Sequence, residues 1–277
     1  MNGAMTRLFE DAAALIDEAD ALVIAAGAGM GIDSGLPDFR GDDGFWRAYP
    51  ALRSARLDFR SIASPAAFRD HPARAWGFYG HRLALYRATT PHPGFAILKR
   101  WSERMPHGCG IFTSNVDGQF QKAGFDGAGI HECHGSIRHL QCLAPCCDEI
   151  WEADGFTPAV DAERCLLLND APACPRCGGL ARPNILMFGD SGWLPRRSDR
   201  QARRQQAWLS RVRRPVVIEI GAGCAIPSVR RFSDEVLQHH NGRLVRVNPR
   251  EATVPHRLDI ALACGALDAL AGIDSRR

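Results

Sequence analysis

An apolar run that leads into a cluster of glycines is the feature that most restricts how this chain can fold. Leu22 to Ala26 is short and continuously apolar, as is usual for a strand buried on both faces of a parallel sheet. A glycine-rich turn follows it directly, with Gly27, Ala28, Gly29, Gly31 and Gly35. Glycines let a backbone approach a ligand closely, and the N–H groups of such a turn can face a diphosphate. The segment therefore predicts a strand and turn that bind a dinucleotide.

The match to the dinucleotide fingerprint is partial, because Ile32 stands where that pattern has glycine. Taken by spacing alone, the segment leaves an alternative open, namely a glycine-rich turn between a strand and a helix that binds nothing.

Other apolar runs also end in polar residues or glycine. Gly110 to Thr113 leads into Ser114 to Gly118, and Pro215 to Ile220 leads into a second glycine turn. Strands that alternate with helices and carry such residues at their carboxyl ends predict an α/β fold with a doubly wound parallel, Rossmann-like sheet.

Two segments interrupt this alternation and predict a smaller lobe, partly helical and partly zinc-binding. We expect a Rossmann-like NAD-binding domain from residues 1–41, 94–138 and 181–277, and a small lobe from 42–93 and 139–180. The active site would lie in the cleft between them. Within the helical part, turn formers and aromatic residues from Gly41 to Tyr49 predict a loop that closes over a ligand.

Six of the ten cysteines lie between positions 142 and 177, which favours a metal site over disulfides. Cys174 and Cys177 have the spacing of a zinc knuckle, and Cys142 with Cys146 supplies a second pair. Cys147 could take the place of Cys146. Four thiolates would fill the coordination shell, so the predicted site is structural. Unliganded buried cysteines are the alternative.

Charge and hydropathy narrow the choice of partners. A net charge of +3 and a pI near 8.4 give no reason to expect a specific nucleic-acid partner. No apolar run approaches the roughly 18 residues of a membrane span, and the first residues lack a signal-peptide core. We therefore expect a cytoplasmic protein that does not bind membranes.

The stretch GAGMGIDSGLPDFRG resembles the signature of the sirtuins, the NAD-dependent protein-lysine deacylases. The resemblance extends over nearly the whole chain. It includes Thr113 to Gly118, His134 to Ser136, the two cysteine pairs, Arg182-Pro183, Phe188 to Asp190, Gly221 to Pro227, and Val247-Asn248.

This resemblance implies a fold, two cofactors and a reaction. The carbonyl oxygen of an acyl-lysine would attack the ribose carbon that bears nicotinamide, and the acyl group would pass to ADP-ribose. His134 would act as general base on a ribose hydroxyl, a role that suits an imidazole because its ordinary pKa is near 6.5. Asn115 and Asp117 would hold the nicotinamide ribose and carboxamide region. The alternatives are a histidine that caps a strand end and a turn whose side chains bond their own backbone.

The resemblance also implies residues that bind the cofactor. Asp38 and Arg40 would organise the cofactor loop, and Phe39 would shield the reactive carbon. The remaining expected contacts are Gly27, Ala28, Gly29, Ser114, Gly221, Ala222, Gly223, Asn248 and Ala266. Zinc would be held by Cys142, Cys146, Cys174 and Cys177.

The substrate would be an acyl-lysine on a protein, with Phe188 and Gly189 pairing with its backbone. Tyr79 and Arg82 resemble the pair with which class III sirtuins bind acidic acyl groups such as succinyl or malonyl, which suggests a bacterial-type enzyme of that class. A guanidinium can grip a carboxylate with two charge-assisted hydrogen bonds. The alternative is an amphipathic helix whose arginine faces solvent.

Two departures from the sirtuin pattern leave other activities open. Family members usually have glutamine in place of Ser114 and serine in place of Gly31. Because the shorter Ser114 side chain cannot make the same ribose contact, ADP-ribosyl transfer to protein and NAD hydrolysis stay as alternatives. A third alternative is an NAD-sensing protein without turnover.

Overall fold

The computed structural model describes residues 3–37 and 41–277, and the side chains of residues 41–43 are outside that description. Asp38, Phe39 and Arg40, which were expected to bind the cofactor, lie outside the described residues.

Eleven strands occur in the described residues, and six of them form a parallel sheet. In chain order they are Ala21–Ala26 (β1), Cys109–Thr113 (β2), Ile130–Glu132 (β3), Gly135–Cys142 (β4), Ile150–Glu152 (β5), Val160–Asp161 (β6), Leu166–Leu167 (β7), Ala181–Ile185 (β8), Pro215–Ile220 (β9), Arg243–Val247 (β10) and Ile260–Leu262 (β11). The sheet order is β11-β10-β9-β1-β2-β3, with all neighbours parallel. Strand order therefore reverses between β1 and β9, as the predicted doubly wound sheet requires.

Helices cover both faces of this sheet. In chain order the described helices are Gly3–Glu18 (α1), Gly41–Ala48 (α2), Pro50–Ser54 (α3), Phe59–Ile62 (α4), Pro65–Asp70 (α5), Pro72–Ala88 (α6), Pro93–Glu103 (α7), Gln119–Lys122 (α8), Arg196–Leu209 (α9), Ser228–His240 (α10) and Ala266–Asp274 (α11), with 3-10 turns at Ala28–Ser34 and Gly127–Gly129. Leu22 and Ile24 of β1 pack in the core with α1, α7 and α11, while Val23 and Ala25 pack with α9 and α10. This alternation explains why β1 is apolar throughout.

A second core holds together the helices α2 to α6 and an antiparallel sheet in the order β5-β4-β8. The indole N–H of Trp76 in α6 donates to the carbonyl oxygen of Ala181 (3.0 Å). A Cβ on Gly77 would lie 2.3 Å from the carbonyl oxygen of Cys165, so only glycine lets the cysteine segment pack this closely on α6.

The loop predicted over Gly41 to Tyr49 is wrong, because residues 41–48 form the helix α2. Phe45 is fully buried, with its ring 5.6 Å from that of Phe59 and 5.9 Å from that of Phe78. The indole N–H of Trp46 donates to the carbonyl oxygen of Leu57 (2.9 Å). Tertiary packing of these aromatic residues thus outweighs the turn-forming tendency of the first four residues.

Among the residues that the structure describes, no helix has both the length and the apolar character needed to cross a membrane.

Candidate active site

The two glycine turns meet where the order of the strands reverses. A Cβ on Gly27 would lie 2.7 Å from the carbonyl oxygen of Gly221, and one on Gly29 would lie 2.5 Å from its Cα. Gly221 has φ +62°, a left-handed conformation that favours glycine. The backbones therefore touch at the carboxyl ends of β1 and β9, which is where open α/β sheets bind their ligands.

A cavity of about 420 Å³ opens beside these turns. It brings together most of the residues predicted from the sequence, namely Gly27, Ala28, Tyr79, Arg82, Ser114, Asn115, Asp117, His134, Phe188, Gly221, Ala222 and Gly223. Some of these residues follow strands of the parallel sheet, and others belong to the second core formed by α2 to α6 and the antiparallel sheet. The cavity therefore lies in the cleft between the parallel sheet and this second core.

A second, smaller cavity of about 110 Å³ lies on the other side of the first glycine turn. Gly29 and Ala266 line it, and Gly221 lines both cavities. The predicted cofactor contacts are thus split between two adjoining cavities around Gly221.

Among the described residues, two of the predicted cofactor and substrate contacts, Asn248 and Gly189, line neither cavity. The side chain of Asn248 is fully buried, where its amide donates to the carbonyl oxygen of Ala222 and its oxygen accepts from the N–H groups of Arg250 and Glu251, each at 3.0 Å. It shapes the loop that follows β10. Gly189 has φ +63° and forms a turn after Phe188.

His134 lies between β3 and β4 with its imidazole at the cavity. Its carbonyl oxygen accepts from the N–H of Leu186 (2.9 Å), and its Nε2 lies 3.2 Å from the Oγ of Ser228. Burial is the main reason that the pKa of His134 is below its ordinary value, although a hydrogen bond to the Ser114 main chain acts in the opposite direction. The imidazole is therefore neutral at pH 7 and able to accept a proton.

Asn115 and Asp117 follow β2 and face the same cavity. The amide of Asn115 donates to the carbonyl oxygen of Gly27 (2.9 Å), which ties the end of β2 to the first glycine turn. The carboxylate of Asp117 accepts from the N–H of Gln119 (2.9 Å), and burial raises its pKa to about 6. Such a raised pKa is common where a cleft holds chemistry.

Replacing Asp117 with asparagine is expected to stabilise the protein by about 2 kcal/mol at pH 7.5. Each unit of pKa corresponds to about 1.4 kcal/mol, and we discount the full shift because Asp117 borders a cavity that solvent enters. The folded carboxyl titrates near 6 and the unfolded one near 3.8, so stability falls as the pH rises through this window. Urea unfolding at several pH values should show a gain that shrinks toward zero near pH 4. An equal gain at every pH would contradict this account.

Arg82 reaches the other end of the cavity from α6. Its side chain is 7% exposed, and its Nε donates to the phenol oxygen of Tyr86 (2.9 Å). The guanidinium carbon lies 5.2 Å from the ring centroid of Phe78, 5.7 Å from that of Tyr79 and 5.4 Å from that of Tyr86. The arginine is therefore buried among aromatic rings and does not face solvent.

Two polar residues of this site, Tyr86 and Ser228, were not predicted from the sequence. Tyr86 lines the cavity and lies four residues after Arg82, a spacing that places both on one face of a helix and could have indicated it. Ser228 contacts His134 across 94 residues of chain, and nothing in the local sequence indicates this contact.

The four predicted zinc ligands form a cluster. The Sγ atoms of Cys142, Cys146, Cys174 and Cys177 all lie within 4.8 Å of one another. The distance between the sulfurs of Cys142 and Cys177 is 3.7 Å, and that between Cys146 and Cys174 is 3.6 Å. Four thiolates at about 2.3 Å from a tetrahedral zinc would be about 3.8 Å apart, so the cluster fits this metal. Of the two cysteines left open by the sequence, Cys146 belongs to this cluster of described residues and Cys147 does not.

A profile of the Sir2 family matches residues 27–208. The chain belongs to the Sir2 family.

Two relatives that are similar in sequence are both named for NAD-dependent protein deacylation. The chain is 30% identical over 243 residues to NAD-dependent protein deacylase 1 of Pseudomonas aeruginosa, covering 87% of this chain and 88% of that one. It is 29% identical over 239 residues to the NAD-dependent protein deacylase of Aquifex aeolicus, covering 86% and 87%.

Solved sirtuin structures share the fold. A Sir2 homologue in complex with NAD superposes with a TM-score of 0.71 at 26% identity, covering 96% of this chain and 92% of that one. A Sir2 homologue in complex with ADP-ribose has a TM-score of 0.70 at 23% identity, covering 100% and 96%.

The segment of this sirtuin that was expected to bind the substrate lies beside Arg182. Arg182 and Asp190 form a fully buried ion pair with N–O distances of 2.6 and 2.9 Å, and Asp190 also accepts from the N–H groups of Met187 and Gly192. These bonds fix the turn that presents Phe188 to the cavity. The N–H of Phe188 donates to the carbonyl oxygen of Ala63 (2.9 Å).

Proposed function

We propose that this sirtuin removes acyl groups from protein lysines and transfers them to the ADP-ribose part of NAD, with release of nicotinamide. The observation that carries the proposal is that a neutral imidazole, His134, shares one cavity with both glycine turns and with Asn115. The names of the relatives and the complexes of the structural neighbours with NAD and ADP-ribose support the choice of cofactor.

Different residues of the cavity would contact different parts of NAD. The glycine turns at Gly27 and Gly221 pack closely on one another and line the cavity, so their main-chain N–H groups would be available to the diphosphate. Asn115 and Asp117 would orient the nicotinamide end. NAD supplies an activated ribose carbon when bound, and His134 would accept the proton of a ribose hydroxyl.

The direct test is a panel of peptides that each carry one acyl-lysine, incubated with and without NAD. We expect loss of the acyl group only when NAD is present, together with an equal amount of nicotinamide. Nicotinamide release without deacylation would favour NAD hydrolysis or ADP-ribosyl transfer, the activities that the serine at position 114 leaves open.

We propose further that the preferred acyl group is acidic, as the class III resemblance of Tyr79 and Arg82 implies. Arg82 and Tyr79 both line the cavity, and a guanidinium and a phenol can bind a carboxylate there through charge-assisted hydrogen bonds. Burial raises the pKa of Tyr79 to about 12, so its phenol keeps the proton that it could donate to such a group.

Replacing Arg82 with methionine is expected to lower kcat/KM for a succinyl-lysine peptide by about 10- to 150-fold, because a charge-assisted hydrogen bond is worth about 1.5–3 kcal/mol. Activity on the matching acetyl-lysine peptide should be nearly unchanged. Arg69→Met, at an exposed position of α5, serves as the control for loss of one positive charge. Equal loss on both peptides would contradict the assignment.

We also propose the division into a Rossmann-like domain (1–41, 94–138 and 181–277) and a small lobe (42–93 and 139–180). The buried residues on the two faces of the parallel sheet all come from the ranges of the Rossmann-like domain. Most residues of the second core, formed by α2 to α6 and the antiparallel sheet, come from the ranges of the small lobe. Hydrogen exchange should then show two groups of amides with different protection.

A further inference from the structure

Ser228 contacts the one group in the cavity that the proposed reaction needs as a base. Its Oγ lies 3.2 Å from Nε2 of His134, within the range in which a hydroxyl and an imidazole nitrogen hydrogen-bond. The two residues belong to different elements, since His134 precedes β4 and Ser228 is the first residue of α10.

The second contact of the ring decides which way this hydrogen bond runs. A main-chain hydrogen bond of Ser114 raises the pKa of His134, which is the direction that a carbonyl acceptor on a ring N–H gives. A carbonyl oxygen can only accept, so the ring nitrogen that faces it carries the proton. In a neutral imidazole the other nitrogen is then an acceptor, and the Ser228 hydroxyl donates to Nε2.

The position of Ser228 is fixed by the helix that it begins. Val229 and Phe232 of α10 are buried against the sheet, and the ring of Phe232 stacks on that of Phe112 with centroids 4.2 Å apart. The N–H of Arg231 donates to the carbonyl oxygen of Pro227 (2.9 Å), which closes the first turn. The hydroxyl therefore comes from a rigid element, as a residue that orients a catalytic base should.

We propose that Ser228 is a positioning residue for His134, which orients the imidazole and, together with the Ser114 main chain, favours the tautomer whose Nε2 is unprotonated at the cavity. The proposal rests on the proposed function for its effect on rate, but the contact itself can be tested without turnover. Because Nε2 has one lone pair, a ribose hydroxyl that donates to it would replace the Ser228 hydroxyl, which is close enough to turn and hydrogen-bond the ribose oxygen. Ser228 is thus placed to contribute a polar contact near the ribose, where Ser114 is shorter than the usual glutamine.

The decisive comparison is between Ser228→Ala and Ser228→Thr. Ser210→Ala, at the exposed position directly after α9, is the control. With histidine labelled by ¹⁵N, and the His134 signals assigned by their loss in His134→Gln, the wild-type ring should show one neutral tautomer. Both contacts favour the same tautomer, so Ser228→Ala, which keeps only the Ser114 contact, should show a larger share of the other tautomer. Ser228→Thr, which keeps the hydroxyl, should restore the single one.

The kinetics of the same variants provide a second test, through kcat/KM and its dependence on pH. Loss of one neutral hydrogen bond should lower kcat/KM by about 2- to 12-fold. A donor to Nε2 stabilises the neutral imidazole, so without it the pKa of His134 rises and the acid limb of the pH profile moves to higher pH. Ser228→Thr should recover both the rate and the pH profile.

The outcomes separate the two proposals. If Ser228→Ala keeps a single tautomer, its rate and its pH profile, this inference is overturned while the proposed function stands. If the wild-type protein consumes no NAD with any acyl-peptide, the proposed function fails, and the ¹⁵N spectra alone decide whether Ser228 sets the tautomer of His134.

Discussion

Replacing His134 with alanine is expected to lower kcat/KM for NAD-dependent deacylation by about 10²- to 10⁴-fold, the usual contribution of a general base. The reason is that the imidazole is the neutral proton acceptor that shares the cavity with both glycine turns. Single-turnover kinetics with an acyl-lysine peptide measure the effect. Binding of NAD, followed by calorimetry, should change far less.

The control for this variant is His256→Ala, because His256 is exposed and lies outside the cavity. Its activity should match that of the wild-type protein. If His134→Ala keeps its activity, the imidazole is not the base, and the alternative of a histidine that only caps a strand end would be correct.

Loss of the metal is expected to have the largest effect on stability. Structural zinc sites contribute on the order of 10 kcal/mol or more to folding in small zinc-binding peptides, and here the four sulfurs already have the spacing of a tetrahedral site. Cys177→Ala should therefore bind no zinc, and its midpoint of thermal unfolding should fall by more than about 10 °C.

Cys147 offers a matched control, since it lies next to Cys146 in sequence but outside the cluster. Cys147→Ala should keep one zinc per chain, measured by atomic absorption, and an unchanged unfolding midpoint. Equal loss of zinc in both variants would show that the ligand set is wrong.

The parallel sheet could be predicted from the sequence because its central strands are buried on both faces. Residues 22–26 and 215–220 are nearly continuous apolar runs, a pattern that few other structures produce. Ligand-binding residues at the ends of such strands are also predictable, since the carboxyl ends of parallel strands share one edge of the sheet.

Features that depend on tertiary contacts could not be predicted in the same way. The helix at 41–48 begins with turn-forming residues, and only the burial of Phe45 among other aromatic rings explains it. The choice between Cys146 and Cys147 depends on which side chain faces the second cysteine pair. The contact between His134 and Ser228 joins a strand end to a helix start, and no spacing within the chain encodes it.

The central claim is that one bound nucleotide receives the acyl group from lysine at this cavity. The most direct test is to incubate the wild-type protein with NAD and a succinyl-lysine or acetyl-lysine peptide and to identify the products by mass spectrometry. Our account predicts O-acyl-ADP-ribose, nicotinamide and free lysine peptide in equal amounts. Free ADP-ribose with the acyl group still on the peptide, or ADP-ribose attached to protein, would contradict it.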